Sequence, residues 1–380
     1  MKTERNTFIQ NIQEDPNDFL ESEVGDIKSE QFFPQVKIKR FGNEYNLSLR
    51  YKHNEQGKEF LSEDNGRIIW KKGNKEARFY EIEGGHEFEV ILNEKPLTNV
   101  IDFTIRTKGI RFLYQGEIRD ERVHQPENAI GSYAIYAENV RKTYEKGKIY
   151  GTGKIGHIFR PKIIDSCGKE VWGELKLDEN KGILSIVIPQ EFLDSATYPV
   201  TVDPTIGYGT AGALSIDMSS IDVGYCNLIG SLVAATGDVI TGYSFYARKL
   251  ASNRDILLNT YRIQGGVPTT KIGASDKSVT VNSTTPQWWN SSSVSESLTA
   301  GNEYNVAFAN WAGTFGSSET TRVYVDSLSG GSSHGNANSL PSTWTETSTF
   351  NYIFSLYATF TRAPVDISYS YNIFIDKGKL

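Results

Sequence analysis

Alternation of apolar and polar side chains recurs along most of this chain, and it predicts strands. Val36 and Ile38 alternate with Lys37 and Lys39, and Tyr45, Leu47 and Leu49 alternate with Asn46 and Ser48. A period of two puts one face on a core and the other in solvent. Ile68-Ile69-Trp70 is a further short strand. Phe79 to Glu83 and Phe88 to Leu92 form a hairpin, and Thr98 to Phe103 and Gly109 to Tyr114 continue the meander. Leu175 to Leu177 and Leu184 to Ile188 make a second hairpin around Asn180-Lys181-Gly182, the kind of turn glycine permits. Tyr198 to Val202 closes this region. The one helical expectation is a single turn over Pro189 to Leu193, because proline is tolerated in a first turn.

Beyond Pro204 the strands expected are Val239 to Ala247, Ile256 to Arg262, Ser278 to Val281, Glu303 to Ala309, Thr321 to Val325 and Tyr352 to Phe360. Their spacing is that of a sandwich. The predicted class is all-β, with two β-sandwich-like domains, the second of jelly-roll type. Residues 1–31 are acidic and rich in Asn and Gln, with Asp15-Pro16 in the middle, and read as a poorly packed arm. After Pro364, Ile367, Tyr369, Tyr371, Ile373 and Ile375 form one more alternating strand. It reads as an edge strand of its own sheet or as a strand added to a neighbouring subunit. The expected units are 1–31, 32–203, 204–363 and the tail 364–380.

Charge sharpens the boundary. Of the 86 Asp, Glu, Lys and Arg residues, 64 lie in 1–203 and only 22 in 204–380. In the second half, hydroxyls, amides and aromatic rings supply the polar surface, which suits neutral, hydroxyl-rich ligands such as sugars. Net charge is −6 with no basic arm, which argues against nucleic-acid binding by phosphate neutralisation. No run reaches the roughly 20 apolar residues of a membrane-spanning helix. The N-terminus shows no secretory leader, so synthesis in a cytosol is expected. Two cysteines, Cys167 and Cys226, are too few for a disulfide framework and read as small buried side chains.

Candidate chemistry is sparse. The five histidines (His53, His86, His124, His157 and His334) fall at no metal-ligand spacing, and no G-x-S-x-G elbow or phosphate-binding loop is present. His157 reads as a hydrogen-bonded structural histidine. No cofactor is expected. Asp217 and Asp222 are spaced for a structural Ca²⁺, with a solvated loop as the plainer reading. The tryptophans carry more. Trp288 and Trp289 are consecutive, so a strand turns one to the core and the other to solvent. An outward indole beside Asn290 makes a sugar platform: its flat ring packs on a pyranose while the amide binds hydroxyls. Trp311 and Trp344 are further platform candidates, with core filling as the alternative for each.

Gly131-Ser132-Tyr133-Ala134-Ile135-Tyr136, His157-Ile158-Phe159-Arg160-Pro161-Lys162, Trp172-Gly173, Ile188-Pro189 and Tyr198-Pro199-Val200-Thr201-Val202-Asp203-Pro204-Thr205-Ile206-Gly207-Tyr208 together resemble a module of uncharacterised bacteriophage and metagenomic virion-type proteins. The resemblance covers about residues 32–208 and carries no chemistry onto particular residues. The second half resembles β-sandwich modules such as carbohydrate-binding modules, through Ile240 to Tyr246, Thr260 to Arg262 and Leu298 to Ala307. Together they imply a non-enzymatic virion structural protein of a capsid or tail surface. Its partners would be other virion proteins, copies of itself and a host-surface glycan. The alternatives are a purely architectural virion protein and a sandwich-fold glycoside hydrolase or lyase, which needs two acids facing each other across a concave sheet.

Overall fold

The computed structural model describes residues 2–4, 7–15, 18–40, 43, 45–54, 57–82, 85–119, 123–138, 149–151, 153–207, 211–219, 224–228, 231–291, 293–311, 319–335 and 340–362. Asp222 and the expected tail strand 364–380 lie outside them. Within the described residues the chain is all-β. Three antiparallel sheets hold the strands, and the only helix is Gln190–Ser195, which starts after Pro189 and buries Phe192 and Leu193.

The first sheet runs in the order Lys2–Glu4, Thr7–Asp15, Asp18–Val24, Gln35–Arg40, Tyr45–Tyr51, Val100–Lys108, Ile183–Val187 and Glu174–Asp178. The second is built around Gly85–Leu92, flanked by Lys75–Ile82, Val200–Asp203 and Thr205–Gly207. The two sheets share one core. Phe79 and Phe88 sit 4.4 Å apart, and Phe88 meets Phe103 of the first sheet edge-on at 5.2 Å. The alternation carries through: Val36, Ile38, Leu47 and Leu49 are buried while Lys37 and Lys39 are half-exposed.

The N-terminal segment departs from the expected arm. Asp18–Val24 pairs with Gln35–Arg40, and Phe8, Leu20 and Val24 join the core. Lys39 ion-pairs with both Glu21 and Glu23, so these two acids serve a neighbouring strand instead of a solvated arm.

The third sheet folds back on itself. One layer contains Asp238–Lys249, the long strand Glu319–Gly335 and Leu356–Arg362; the other contains Arg254–Gln264, Lys277–Val281 and Glu303–Trp311. Phe245 and Phe308 meet between them at 4.7 Å. The run expected as one strand over Tyr352 to Phe360 is broken at Ser355. That residue leaves the regular ladder to bond the backbones of Tyr324 and Tyr246 at 2.8 and 2.9 Å. The sheets do not respect the compositional seam at 203/204. Thr205–Gly207 still belongs to the second sheet, whereas Val123–His124 and Ile149–Gly151 pair into the third.

Candidate functional site

The outer face of the third sheet carries a continuous row of aromatic rings. Tyr246 on Asp238–Lys249 stands opposite Trp288 on Gln287–Ser291, with ring centroids 5.1 Å apart. Trp288 reaches Tyr357 of Leu356–Arg362 at 5.0 Å, and Tyr246 reaches Tyr324 of Glu319–Gly335 at 5.0 Å. The order is therefore Tyr324, Tyr246, Trp288, Tyr357, across four strands. All four side chains are half-exposed. Their odd–even partners, such as Phe245, Val323 and Leu356, point the other way and are buried. Ser244 donates to Asn290 Oδ1 at 2.7 Å beside the row, which fixes that amide at its edge. Flat rings flanked by fixed amides and hydroxyls suit the apolar face and hydroxyl rim of a sugar. Burial raises the Tyr246 and Tyr324 phenols above their usual pKa, so both remain neutral hydrogen-bonding groups at physiological pH.

The structure separates the five sequence candidates. It brings Trp288 and exposed Asn290 to the face. Trp289 points to the opposite side, packs against the core and donates its indole N–H to the Ala247 carbonyl at 2.9 Å. Trp344 is 5% exposed and cannot be a platform. Its ring meets Tyr261 edge-on at 5.0 Å, and its N–H donates to Ser333 Oγ at 2.9 Å. A side chain on Gly335 would come within 3.0 Å of the Trp344 ring, so that glycine makes its slot. Trp311 closes the strand Glu303–Trp311 opposite Asp255; its side chain lies outside the described residues. Tyr246, Tyr324 and Tyr357 escape sequence reading. Their alternation is visible, but which strands neighbour Trp288 is not.

Asp217 is engaged by Arg322, whose Nε and terminal nitrogen donate to the two carboxylate oxygens at 2.5 and 2.7 Å. That guanidinium, with His124, holds the Asp217 carboxyl below its usual range against the opposing effect of burial, and occupies the oxygens a Ca²⁺ would need. No group of three His, Cys, Asp or Glu among the described residues could hold a metal ion.

Two further clusters resemble catalytic arrangements. Ser132, His157, Lys154 and Asp326 form a chain where the two halves meet. A bulge between Ile135 and Tyr136 shifts the register so that Lys154 and His157 share a side. Lys154 Nζ donates to Asp326 at 2.9 Å and to His157 Nδ1 at 3.1 Å; His157 Nε2 then donates to Ser132 Oγ at 2.7 Å, and Ser132 donates to the Ala129 carbonyl. Tyr136 O–H and Ala213 N–H also donate to Asp326. A nucleophilic serine must give its proton to the histidine. With Nδ1 turned to the Lys154 ammonium, the neutral ring carries its proton on Nε2 and donates to Ser132 instead, and every member is buried. Burial, reinforced by the Lys154 charge, pushes the His157 pKa well down and keeps the ring neutral. The cluster joins the halves and has no access to substrate.

The second is the carboxyl group of Glu87, Glu89 and Asp203 on adjacent strands. Thr205 Oγ1 donates to Glu87 and Tyr80 O–H to Glu89, at 2.9 and 2.8 Å. Burial first, then the hydrogen bond and charge of Glu87, pushes Asp203 up to about 8, so the pair holds a proton at neutral pH. A folded pKa near 8 against 3.8 unfolded means the folded state binds the extra proton between those values, so stability falls as pH rises through that window. Denaturant midpoints of the wild type should therefore drop between pH 6.5 and 8, and Asp203→Asn should flatten that slope. An equal slope in both proteins would refute the shared proton.

No protein-family model matches the chain, and no curated protein matches it. Among solved structures it is similar to the cysteine protease and lectin-like domains of Cwp84, a surface layer associated protein of Clostridium difficile. Identity is 12% and the TM-score 0.29, over 72% of this chain and 62% of that one, so the chain spans less than two thirds of it. It is also similar to an exo-β-1,3-galactanase from Phanerochaete chrysosporium, at 9% identity and a TM-score of 0.16, over 85% of this chain and 96% of that one. Likeness at these scores assigns no function, and the site has to be argued from its own chemistry.

Proposed function

We propose that the chain is a non-enzymatic structural protein of a phage particle whose third sheet binds glycans through its outer aromatic face. The row Tyr324–Tyr246–Trp288–Tyr357 carries the glycan reading. Four rings already in edge-to-face or tilted contact across four strands lose little side-chain freedom when a saccharide stacks on one of them. The virion part rests on the resemblance of residues 32–208, and partners of that kind would be other particle proteins and copies of this chain. A glycan array probed with the full chain should show saccharide binding; silence across neutral and acidic glycans alike would sink the glycan reading.

A purely architectural role has its own support. In the loop after Leu92, Leu97 is fully exposed, next to the exposed Val100, and together they offer an apolar contact for another subunit. Native mass measurement addresses that reading: a stable assembly supports it, and a monomer at high concentration speaks against it.

A further inference from the structure

The aromatic row ends at two arginines. Arg248 follows Tyr246 by two positions on one strand, and Arg322 precedes Tyr324 by two on the next, so both share the face of the rings. They stand directly opposite each other in the ladder. Like charges so placed destabilise a sheet. They do so in a half-chain that carries only 22 charged residues. Arg322 is satisfied by Asp217, with His124 Nε2 at 3.1 Å from the same guanidinium. Arg248 is not. Among the described residues it forms no ion pair, and its buried Nε has no hydrogen-bond partner. Burial raises the Tyr324 phenol; both guanidiniums oppose that rise and the Asp217 carboxylate adds to it, so all three charges lie at this edge of the row.

An unpaired guanidinium next to a sugar-stacking surface is a site for a planar anion, because its fork of N–H donors matches a carboxylate. We propose that the glycan taken by this face is acidic: a pyranose carrying a carboxylate, as in uronic or sialic acids, stacks on Tyr246 and Trp288 while its carboxylate pairs with Arg248. Arg322 is already neutralised by Asp217, which leaves Arg248 as the partner for the anion. The inference rests on the glycan reading above and narrows it. A neutral sugar would leave the Arg248 guanidinium without an anionic partner.

The test is affinity electrophoresis of the full chain in gels containing polygalacturonate, alginate, hyaluronate or polysialic acid, each paired with its carboxyl-reduced form, with dextran, xylan and dextran sulfate alongside. At least one acidic polymer should retard the protein, with affinity about tenfold weaker for its carboxyl-reduced form. That preference should shrink with added salt and disappear in Arg248→Gln, which keeps the residual binding to the reduced polymer. Equal affinity for acidic and reduced forms overturns the proposal, as does an equally strong response to dextran sulfate or a preference that survives in Arg248→Gln. Binding to neutral polymers alone overturns it and leaves the glycan reading intact. No retardation by any polymer overturns both.

Discussion

Replacing Asp326 with alanine should be the most damaging single change away from the binding face. Its carboxylate is fully buried and receives Lys154 Nζ, Tyr136 O–H and the Ala213 amide. The Lys154 side chain is itself 2% exposed, so the variant would strand a cation in the interior. Breaking a buried pair from one side costs about 3–5 kcal/mol, a large part of the roughly 5–15 kcal/mol that holds an average domain together. A urea titration at pH 7 should show a sharply lowered midpoint or no folded baseline. The double change Asp326→Leu with Lys154→Met removes both charges and should recover part of the loss, the remainder reflecting the Tyr136 hydroxyl and Ala213 amide left without their acceptor. A single variant within about 1 kcal/mol of the wild type would mean that the junction does not depend on this pair.

Trp344→Ala should be nearly as costly, although the sequence offers this tryptophan as a binding platform as readily as a core side chain. The indole fills a slot bounded by Tyr261, Leu340 and the two glycines Gly224 and Gly335. Truncating a buried tryptophan opens a cavity and costs about 3–5 kcal/mol. Ser333 Oγ loses its donor as well. Trp344→Phe should cost less, because it keeps most of the volume and gives up the hydrogen bond. Thermal unfolding of both variants measures the difference. A Trp344→Ala protein as stable as the wild type would put the indole at the surface and restore it as a platform candidate.

The contrast among the tryptophans shows what the sequence could reveal. Strand alternation was enough to split Trp288 from Trp289, because both lie in one regular ladder against Tyr243 to Ala247. It could not place Trp344. Burial there depends on glycines 9 and 120 positions away, which leave room for the ring. The hairpin through Phe79 and Phe88 was legible because its apolar positions are dense and local. The first thirty residues were not, because their few apolar side chains are buried only once Thr7–Asp15, Asp18–Val24 and Gln35–Arg40 pair in succession, and Glu21 and Glu23 are balanced by Lys39 on the last of these strands. The aromatic face has the same origin. Each tyrosine sits at an ordinary outward position of its strand, and only the order of strands in the sheet makes a row of them. The charge break at 203/204 is a break in composition, and Val123–His124 and Ile149–Gly151 cross it to pair in the third sheet. Composition reports which solvent or ligand a surface meets; it does not report which strand a ladder recruits.

Trp288 stands in the middle of the proposed saccharide-binding face. The most direct test of that face is calorimetric titration of the full chain and of Trp288→Ala with the best-bound saccharide. The ring is half-exposed on an outer face, so the variant should stay folded while its affinity falls by about tenfold or more. A folded Trp288→Ala protein that binds that saccharide as tightly as the wild type would contradict the account.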